Sequence, residues 1–485
     1  MASGIIAHMP DSCSDADLLD EIRGGQCRER VAVAVRLLAA GRLCQRRLEQ
    51  AGDERTQWCI DNWDSVAAEV GAELGISRGR ASSQIHHGLE LIERFPALAA
   101  VFLTGVVDFR VVSMILFRTG LITDPELLAE IDARLAGVCS GWNALSHNTL
   151  IEAVDWYVRE VDPAAVRVAR QADDDRHVEL APAGEGMADL WGKLRATDAA
   201  VFDRRLDALA ASVCRDDPRT VRQRRADAVG ALAAGAQSLV CGCENPDCPA
   251  TPAAVGSGGS VVIHVVATAD TLSGRSQTPA LLPGYGALPA HTVRELATRA
   301  RVRPVIDPAQ LRAEKGYRPS AALAEFVRCR DLTCRFLNCD RPAEVADIDH
   351  TVPYPYGPTH PSNLKLLCRH HHLLKTHWCG PGGWSDQQFA DGTIEWTSPT
   401  GRTYSTKPGG TLFFPHLVTT TADIVLPTRP EPTSGRGLMM PTRQRTRKAD
   451  HANRMRQERA INEAQLGIDP AQSPNRRAHW NAPPF

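Results

Sequence analysis

The chain contains 485 residues, with 55 Lys and Arg against 57 Asp and Glu, and so carries a formal net charge of −2. This length predicts two or three domains. Aromatic residues make up only 5% of the sequence and charged residues 23%, a composition typical of helix-rich soluble proteins. Because the net charge is close to zero, the composition excludes a nucleic-acid-binding surface over the whole chain, and any such surface must be local.

The sequence also predicts neither export nor membrane insertion. The first ten residues (MASGIIAHMP) lack the charged start and the long apolar run of a signal peptide. The most apolar short run, residues 261–269, is too short to cross a bilayer and is interrupted by His264. Fourteen cysteines without an export signal are typical of reduced thiols and metal ligands. We therefore expect a cytoplasmic protein with no membrane partner.

Residues 15–290 are predicted to form a mainly helical domain. Apolar residues recur at helical spacing in several segments (residues 15–50, 63–95, 102–135, 143–158, 197–211 and 219–235). Within the second segment, AAEVGAELGISRGRASSQIHHGLEL has the turn and the apolar spacing of a helix-turn-helix. An ordinary helical hairpin explains the same pattern and is the favoured interpretation.

A short cysteine-rich segment, CGCENPDC, lies near the end of this helical region. Its Cys241, Cys243 and Cys248 can hold zinc if a fourth ligand comes from elsewhere in the fold. No fourth ligand is evident from the sequence, so a cysteine-bearing surface loop is the favoured interpretation. The Gly- and Pro-rich residues 273–290 that follow predict a domain boundary.

A basic linker is predicted over residues 291–324. The wider segment 294–341 holds 11 Lys and Arg against six acidic residues. Contacts to phosphates supply most of the non-specific affinity for nucleic acid, so this local positive charge suits a DNA-binding surface.

Two pairs of metal-binding residues follow, Cys334-x4-Cys339 and Cys368-x2-His371, separated by 28 residues. Structural zinc is bound by four thiolate or imidazole groups, usually supplied as two close pairs from two turns. The spacing therefore predicts a zinc site, although four unrelated residues in a chain with 14 Cys and 16 His are the simpler alternative. Cys329 is a rival ligand, and Cys339 is preferred because Cys334-x4-Cys339 leads directly into the next strand.

A set of polar residues lies between and beside these pairs. The predicted elements are two strands and a helix (residues 345–350, 363–367 and 368–377). A hairpin followed by a helix brings the end of the first strand against the first helical turn, so Asp349, His350 and His372 are expected to converge. A carboxylate and an imidazole can hold a divalent ion, and a second, free imidazole can take a proton from water. Together they suffice for phosphodiester hydrolysis.

This stretch resembles the HNH endonuclease signature, a ββα-metal motif, in its zinc-stabilised form. In that signature DH is followed by NL and then by LCxxCHxxKT, and the letters DH, NL and LCRHHHLLKT of this chain match it. One position departs from the pattern, because His371 stands where the family often has a second Cys. Imidazole is an equally common zinc ligand, so the zinc site is expected to be retained.

Residues 334–378 further resemble the 13E12 repeat family, in which an HNH module follows a long, mostly helical, DUF222-like region of unknown function. The helical region of this chain resembles that region in MADLWGKLRATDAAVFDRRLDALA and DPRTVRQRRADAVGALAAG. Together the two resemblances cover most of residues 15–410.

The resemblance implies roles for individual residues. His350 would be the general base that activates water, while Asp349 and His372 would bind catalytic Mg²⁺ or Mn²⁺. Asn363 would hold the loop so that His350 stays oriented. Some relatives have a further metal ligand at the position of Thr376, which is a poorer ligand. The structural zinc ligands would be Cys334, Cys339, Cys368 and His371, and the partner would be DNA.

The last part of the chain is predicted to contain a hairpin over residues 379–410 and a basic tail over residues 427–485. This tail carries 11 Lys and Arg against five acidic residues and is expected to be mainly disordered, with a helix over residues 450–465. Its charge would either contact phosphates or keep the protein soluble.

The predicted fold class is a mainly α N-terminal domain plus a small α+β ββα-metal (HNH) nuclease module containing zinc, with a disordered C-terminal tail. The predicted domains are a helical domain (15–290), a basic linker (291–324), the nuclease module (325–378), a hairpin (379–410) and the tail (427–485). The predicted function is a metal-dependent endonuclease that hydrolyses DNA phosphodiester bonds. The alternatives are a DNA-binding protein with a catalytically degenerate HNH module and a zinc-stabilised interaction module without a nucleic-acid partner.

Overall fold

The computed structural model describes residues 14–52, 55–167, 176–243, 245–250, 264–298, 300–307, 310–380, 382–418, 420–421, 424 and 439–467. The chain divides into two compact units, of which the first is Met1–Val168 with Val305–Phe485 and the second is Ala169–Pro304. These units do not coincide with the predicted boundaries at residues 290 and 325, which mark changes in composition. The chain instead leaves the first unit after Val168 and returns to it at Val305. Within the described ranges, no helix combines the length and the apolar character needed to cross a membrane.

The N-terminal part of the first unit is helical, as its apolar periodicity predicts. Its helices are α1 (Asp15–Ala51), α2 (Asn62–Leu74), α3 (Arg78–Glu93), α4 (Pro96–Leu103), α5 (Phe109–Arg118), α6 (Pro125–Val138) and α7 (His147–Val161). The side chains of Ser14, Asp61, Asp124 and Ser146 each accept a hydrogen bond from an amide in the first turn of the helix that follows. These caps satisfy amides that have no partner within the helix, which is why the helices begin where they do.

Helices α1 and α3 pack with their backbones in close contact. Gly41 of α1 faces Gly88 of α3, and a Cβ atom added to Gly88 would lie 2.0 Å from the carbonyl oxygen of Leu37. Only residues without a side chain permit this approach. The hairpin that α2 and α3 form around the left-handed Gly75 is therefore covered on one side by α1.

A further helix, α15 (Arg447–Leu466), packs against the bundle. The prediction of a mainly disordered tail is therefore wrong over residues 439–467. The helix expected over residues 450–465 is present and is part of the folded unit. Its Arg459 pairs with buried Asp162 at 2.7 Å, and Arg447 lies 3.1 Å from Asp61. These arginines of the tail thus neutralise carboxylates of the helical bundle. The sequence instead suggested that their charge contacts phosphates or keeps the protein soluble. Residues 427–438 and 468–485 of the predicted tail lie outside the described residues.

The described part of the second unit contains helices and two-stranded hairpins. Its elements are β1 (His177–Gly184), β2 (Met187–Lys193), α8 (Ala196–Ala210), α9 (Val221–Ala233), α10 (Ala269–Leu272), β3 (Ala280–Leu282), β4 (Gly286–Leu288) and α11 (Ala290–Ala297). Strand β1 pairs with β2 and β3 with β4, both antiparallel. Helices α8 and α9 pack through a small apolar cluster that includes Leu206, Leu209 and Ala228.

After its return to the first unit, the chain forms α12 (Ala321–Asp331), β5 (Ala346–His350), β6 (Leu364–Cys368) and α13 (Arg369–His377). Strands β5 and β6 are antiparallel, with Asp349 opposite Lys365 and His350 opposite Leu364. These bounds match the predicted strand, strand and helix to within one residue. Helix α12 packs on β6 through an apolar cluster containing Leu323, Phe326 and Leu366.

A three-stranded antiparallel sheet follows, with β7 (Ser385–Gln388), β8 (Ile394–Thr397) and β9 (Thr403–Thr406), and then the short helix α14 (Gly410–Phe413). The hairpin predicted over residues 379–410 is therefore only part of this sheet, because β7 adds a third strand. Trp384 and Trp396 are buried with Phe336, and Ile60 before α2 belongs to the same apolar cluster. The segment around the candidate site therefore packs against α2 and the residues just before it within the first unit.

Candidate active site and zinc site

The four residues predicted to bind zinc lie together. One ligand atom from each of Cys334, Cys339, Cys368 and His371 lies within 4.8 Å of the others. The Nδ1 atom of His371 is 3.5 Å from the sulfur of Cys334 and 3.3 Å from that of Cys368. Two cysteines from the loop after α12, Cys368 at the end of β6 and His371 in the first turn of α13 thus form a group that could hold a metal ion. Among the described residues, the rival ligand Cys329 is not a member of this group.

The surroundings of these residues affect both their protonation and their orientation. Burial raises the pKa of the Cys334 thiol, so this side chain would become a thiolate only with a positive partner such as a metal ion. The ring of Phe336 stacks on the imidazole of His371, with 4.2 Å between ring centres, and orients that ligand. The chemistry of the donor set, three sulfurs and one imidazole nitrogen, fits structural zinc.

The predicted catalytic residues Asp349 and His372 face each other across β5 and α13. The Nε2 atom of His372 lies 3.5 Å from Oδ1 of Asp349. The other ring nitrogen, Nδ1, lies 2.9 Å from Oδ2 of Asp347. Asp347 and Asp349 are two residues apart on one strand, so both carboxylates point to the same face of the hairpin. A carboxylate behind a ligating histidine is the usual means of fixing the orientation of such a ligand.

Two buried lysines compensate the charge of Asp349. The ammonium group of Lys365 lies 3.0 Å from Oδ2 of Asp349, and that of Lys375 contacts the same oxygen. Burial by itself would raise the pKa of Asp349, but the two lysines and His372 lower it well below the ordinary range. Asp349 is therefore ionised, with Oδ2 held by the lysines and Oδ1 towards His372.

Burial also changes the protonation of Lys375 itself. It lowers the pKa of this side chain to about 8, although Asp349 and Asp386 act in the opposite direction. Asp386 in β7 shares the lysines, with 2.7 Å to Nζ of Lys365. The site therefore contains two carboxylates and two ammonium groups, all of them largely buried.

His350 ends β5 and is held by Thr359. Its Nε2 atom lies 2.9 Å from the hydroxyl oxygen of Thr359, and that hydroxyl donates its proton to the carbonyl of Gly316 at 2.6 Å. Because the hydroxyl proton is used, Nε2 of neutral His350 carries the proton and donates it to Thr359, which leaves the lone pair on Nδ1. Burial lowers the pKa of His350, so the ring is neutral at physiological pH and can accept a proton.

Asn363 connects the two ends of the loop between β5 and β6. Its side-chain oxygen accepts the amide of Val352 at 2.8 Å, and its amide group donates to the carbonyls of Val352 at 3.0 Å and Pro358 at 2.9 Å. The side chain is fully buried. It braces the loop next to His350 and does not face the carboxylates.

Comparison with known proteins places the chain in a family. A family described as a domain of unknown function, DUF222, matches residues 25–331. The chain belongs to the DUF222 family. The uncharacterized protein Rv3776 of Mycobacterium tuberculosis (strain ATCC 25618 / H37Rv) is 47% identical over 477 residues, which cover 92% of this chain and 90% of that protein. The uncharacterized protein Rv2100 of the same strain is 45% identical over 520 residues, which cover 96% of this chain and 93% of that protein. No solved structure matches the chain.

The DUF222 match ends at Asp331, just before the group of Cys334, Cys339, Cys368 and His371 that could hold a metal ion. Asp331 is fully buried between Arg330 and Arg335, with 2.8 Å to Nε of Arg330 and 3.0 Å to Arg335. Burial alone would raise the pKa of Asp331, but the two guanidinium groups lower it. The region matched by DUF222 thus ends at a residue whose ion pairs include Arg335 of the following segment. Two of the basic residues that suggested a DNA-binding surface are consequently internal.

Several residues of the site were missed by sequence analysis. They are Asp347, Lys365, Lys375, Asp386, Thr359 and Tyr317, whose ring stacks on His350. Alternation along β5 could have indicated Asp347, since it lies on the same face as Asp349. Asp386 and Tyr317 lie outside the predicted strand-strand-helix segment, and only the folded structure places them next to Lys365 and His350. Thr376 donates its hydroxyl proton to the carbonyl of His372 at 2.8 Å and is occupied within α13.

The second cysteine-rich segment also gains a partner in the fold. Cys241, Cys243 and Cys248 lie with Cys214, and one sulfur from each is within 4.8 Å of the others. Cys214 supplies the fourth sulfur of this group. The sequence did not indicate it because helix α9 lies between Cys214 and the other three cysteines.

Proposed function

We propose that this DUF222 protein is a metal-dependent endonuclease of the HNH, ββα-metal type that hydrolyses DNA phosphodiester bonds. The observation that carries the proposal is the pair formed by Oδ1 of Asp349 and Nε2 of His372, 3.5 Å apart. They lie next to a neutral His350 in a strand-strand-helix arrangement. The resemblance of this stretch to the 13E12 repeat family supports the same function.

The donor set fits a divalent cation. One carboxylate oxygen and one imidazole nitrogen, with water and a phosphate oxygen completing the shell, suit Mg²⁺ or Mn²⁺. Bound there, the cation would stabilise the negative charge that develops on the phosphate. Asp349 and His372 would hold it, and Asp347 would keep His372 in the tautomer whose Nε2 lone pair faces Asp349.

His350 would act as the general base. A base needs a lone pair and a pKa that keeps it unprotonated at working pH, and His350 has both because Thr359 occupies Nε2 and burial lowers its pKa. Asn363 would hold the loop that follows His350, so its contribution would be positioning.

Exposed residues beside His350 suit a nucleic-acid substrate. Tyr317 stacks on His350, with 5.4 Å between ring centres, and Lys315 and Arg318 next to it are exposed. Cations contact phosphates without reading sequence, and an exposed aromatic ring can stack on a base. This segment supports DNA as the partner.

The test is nicking of supercoiled plasmid by the purified full chain with Mg²⁺ or Mn²⁺, and with EDTA. We expect metal-dependent nicking that falls about 100-fold or more in His350→Ala, the usual loss on removal of a general base. His147→Ala, an exposed histidine on α7, is the matched control and should nick like the wild type. Equal rates for wild type and His350→Ala would reject the proposal.

The second candidate is a DNA-binding protein with an inactive HNH module. It is favoured by Lys365 and Lys375, whose two ammonium groups on Asp349 reduce the negative charge available to a divalent cation. A chain that binds zinc and retains DNA at moderate salt but does not nick under any metal condition would identify this function. A chain that holds zinc but retains no DNA would instead be an interaction module.

A further inference from the structure

Four cysteines of the second unit form a group that the proposed nuclease chemistry does not use. Cys214 follows α8, and Cys241, Cys243 and Cys248 follow α9, so the group gathers the ends of both helices. All four are free thiols. From this geometry we propose that Cys214, Cys241, Cys243 and Cys248 bind a second zinc ion, which stabilises the fold of the second unit.

The sulfur positions suit a tetrahedral metal site. The sulfurs of Cys214 and Cys241 are 3.4 Å apart, and all four lie within 4.8 Å of one another. With a zinc–sulfur bond of about 2.3 Å, tetrahedral geometry separates the sulfurs by about 3.8 Å. A disulfide requires about 2.05 Å. The group is therefore spaced as ligands of one ion.

A backbone amide points at one of the sulfurs. The amide of Ala250, two residues after Cys248, donates to the sulfur of Cys248 at 3.4 Å. A hydrogen bond of this kind stabilises a thiolate, which is the form that binds metal.

The loops that carry the cysteines are held in place independently of any ion. Asp217 accepts the amide of Gly242 at 2.8 Å, and Arg219 donates to the carbonyl of Val240 at 2.7 Å. Arg219 also pairs with Asp217 at 2.7 Å. The loop after α8 and the loop after α9 are thus fastened to each other beside the sulfurs, which reduces the cost of organising the site.

A metal ion would add to the stability provided by the small apolar clusters found among the described residues of this unit. The apolar cluster around α8 and α9 contains the buried residues Leu206, Leu209, Ala228 and Leu239. Another small cluster, with buried Ala280, Leu288 and Val293, lies in the same unit. Clusters of this size rarely stabilise a fold alone, and small domains commonly use a structural metal instead. Four thiolates without an open position select zinc in a structural role.

The test is the zinc content of the purified full chain and its variants, measured by mass spectrometry of the metal. We expect about two zinc ions per wild-type chain, about one in Cys214→Ser/Cys243→Ser and about one in Cys334→Ser/Cys339→Ser. Cys27→Ser, which alters a cysteine of neither group, is the matched control and should keep about two. Unchanged zinc content in Cys214→Ser/Cys243→Ser would overturn the proposal.

Two further measurements cover the case in which that variant does not fold. X-ray absorption at the zinc edge of the wild type should give a mean sulfur coordination between three and four, because one site has three sulfurs and one nitrogen and the other has four sulfurs. A value of three, with one zinc per chain, would reject the second site. Hydrogen exchange on a variant that remains folded should show lost protection over residues 196–250 and unchanged protection over residues 346–377. Unchanged exchange in the first range would contradict a stabilising role.

Discussion

The Nδ1 atom of His372 lies 2.9 Å from a carboxylate oxygen of Asp347, a residue that carries no role in the HNH-like pattern of the sequence. This contact fixes the ring so that Nε2 faces Asp349 at 3.5 Å. The orientation of the candidate metal ligand thus depends on a residue outside the motif.

We predict that Asp347→Asn lowers metal-dependent nicking about 10- to 100-fold, the usual loss when the carboxylate behind a ligating histidine is removed. The substitution keeps the shape of the side chain, and the carboxylate is partly exposed, so the fold should be retained. Nicking rates at increasing Mn²⁺ should show a weaker apparent metal affinity. The exposed Glu344→Gln serves as control, and a rate for Asp347→Asn equal to that of the control would contradict the role of Asp347.

We predict that Asp331→Asn destabilises the first unit by about 3–5 kcal/mol, the cost of removing one partner from a buried ion pair. Arg330 and Arg335 would remain buried without their counter-charge, and the amide of Leu366 would lose the carboxylate oxygen it bonds to at 2.9 Å. The measurement is the free energy of unfolding from urea titration. Asp340→Asn, at an exposed acidic position of the following loop, should change it by less than about 0.5 kcal/mol. Similar values for the two variants would show that the network is not stabilising.

The contact between α1 and α3 leads to a prediction for Gly88→Ala. The new Cβ atom would lie 2.0 Å from the Leu37 carbonyl oxygen, so the helices must separate, at a cost of about 1–3 kcal/mol or more. Gly79→Ala lies on the same helix with no atom within 4 Å of the added Cβ, and should be neutral or stabilising because alanine favours helix. Thermal unfolding of both variants compares the two effects. A melting temperature of Gly88→Ala at or above that of the wild type would contradict the close packing.

The docking of α15 should weaken in mild acid because of His451. Burial, together with the neighbouring His86, lowers the pKa of His451 from 6.5 to about 4 in the folded protein. The unfolded chain therefore binds the proton first as pH falls, and the free energy of unfolding decreases between about pH 6.5 and pH 4. For this one group the slope is at most about 1.4 kcal/mol per pH unit.

Urea unfolding at pH 7 and pH 5 measures this dependence. In His451→Gln the loss of stability between the two pH values should be smaller than in the wild type, while some dependence remains because burial also lowers the pKa of His86. His147→Gln, on an exposed position, should keep the full dependence. An equal loss in His451→Gln and the wild type would show that His451 does not contribute.

The sequence determined the local elements of this protein. Apolar periodicity and the caps at Ser14, Asp61 and Ser146 specify helices, since both depend on residues a few positions apart. The same holds for β5, β6 and α13. It holds also for the grouping of the four candidate zinc ligands, because each pair is close in the chain and a hairpin followed by a helix brings the pairs together.

Contacts between residues distant in the chain were decided only by the tertiary structure. Charge counts assigned Arg330, Arg335 and Arg459 to a basic surface or tail, but each is buried against a carboxylate. Cys214 joined a cysteine group that appeared to lack a fourth member, and Asp386 joined Lys365 from a strand not predicted. In each case the pairing is set by which surfaces pack together, and a linear pattern of residue types carries no information about that packing.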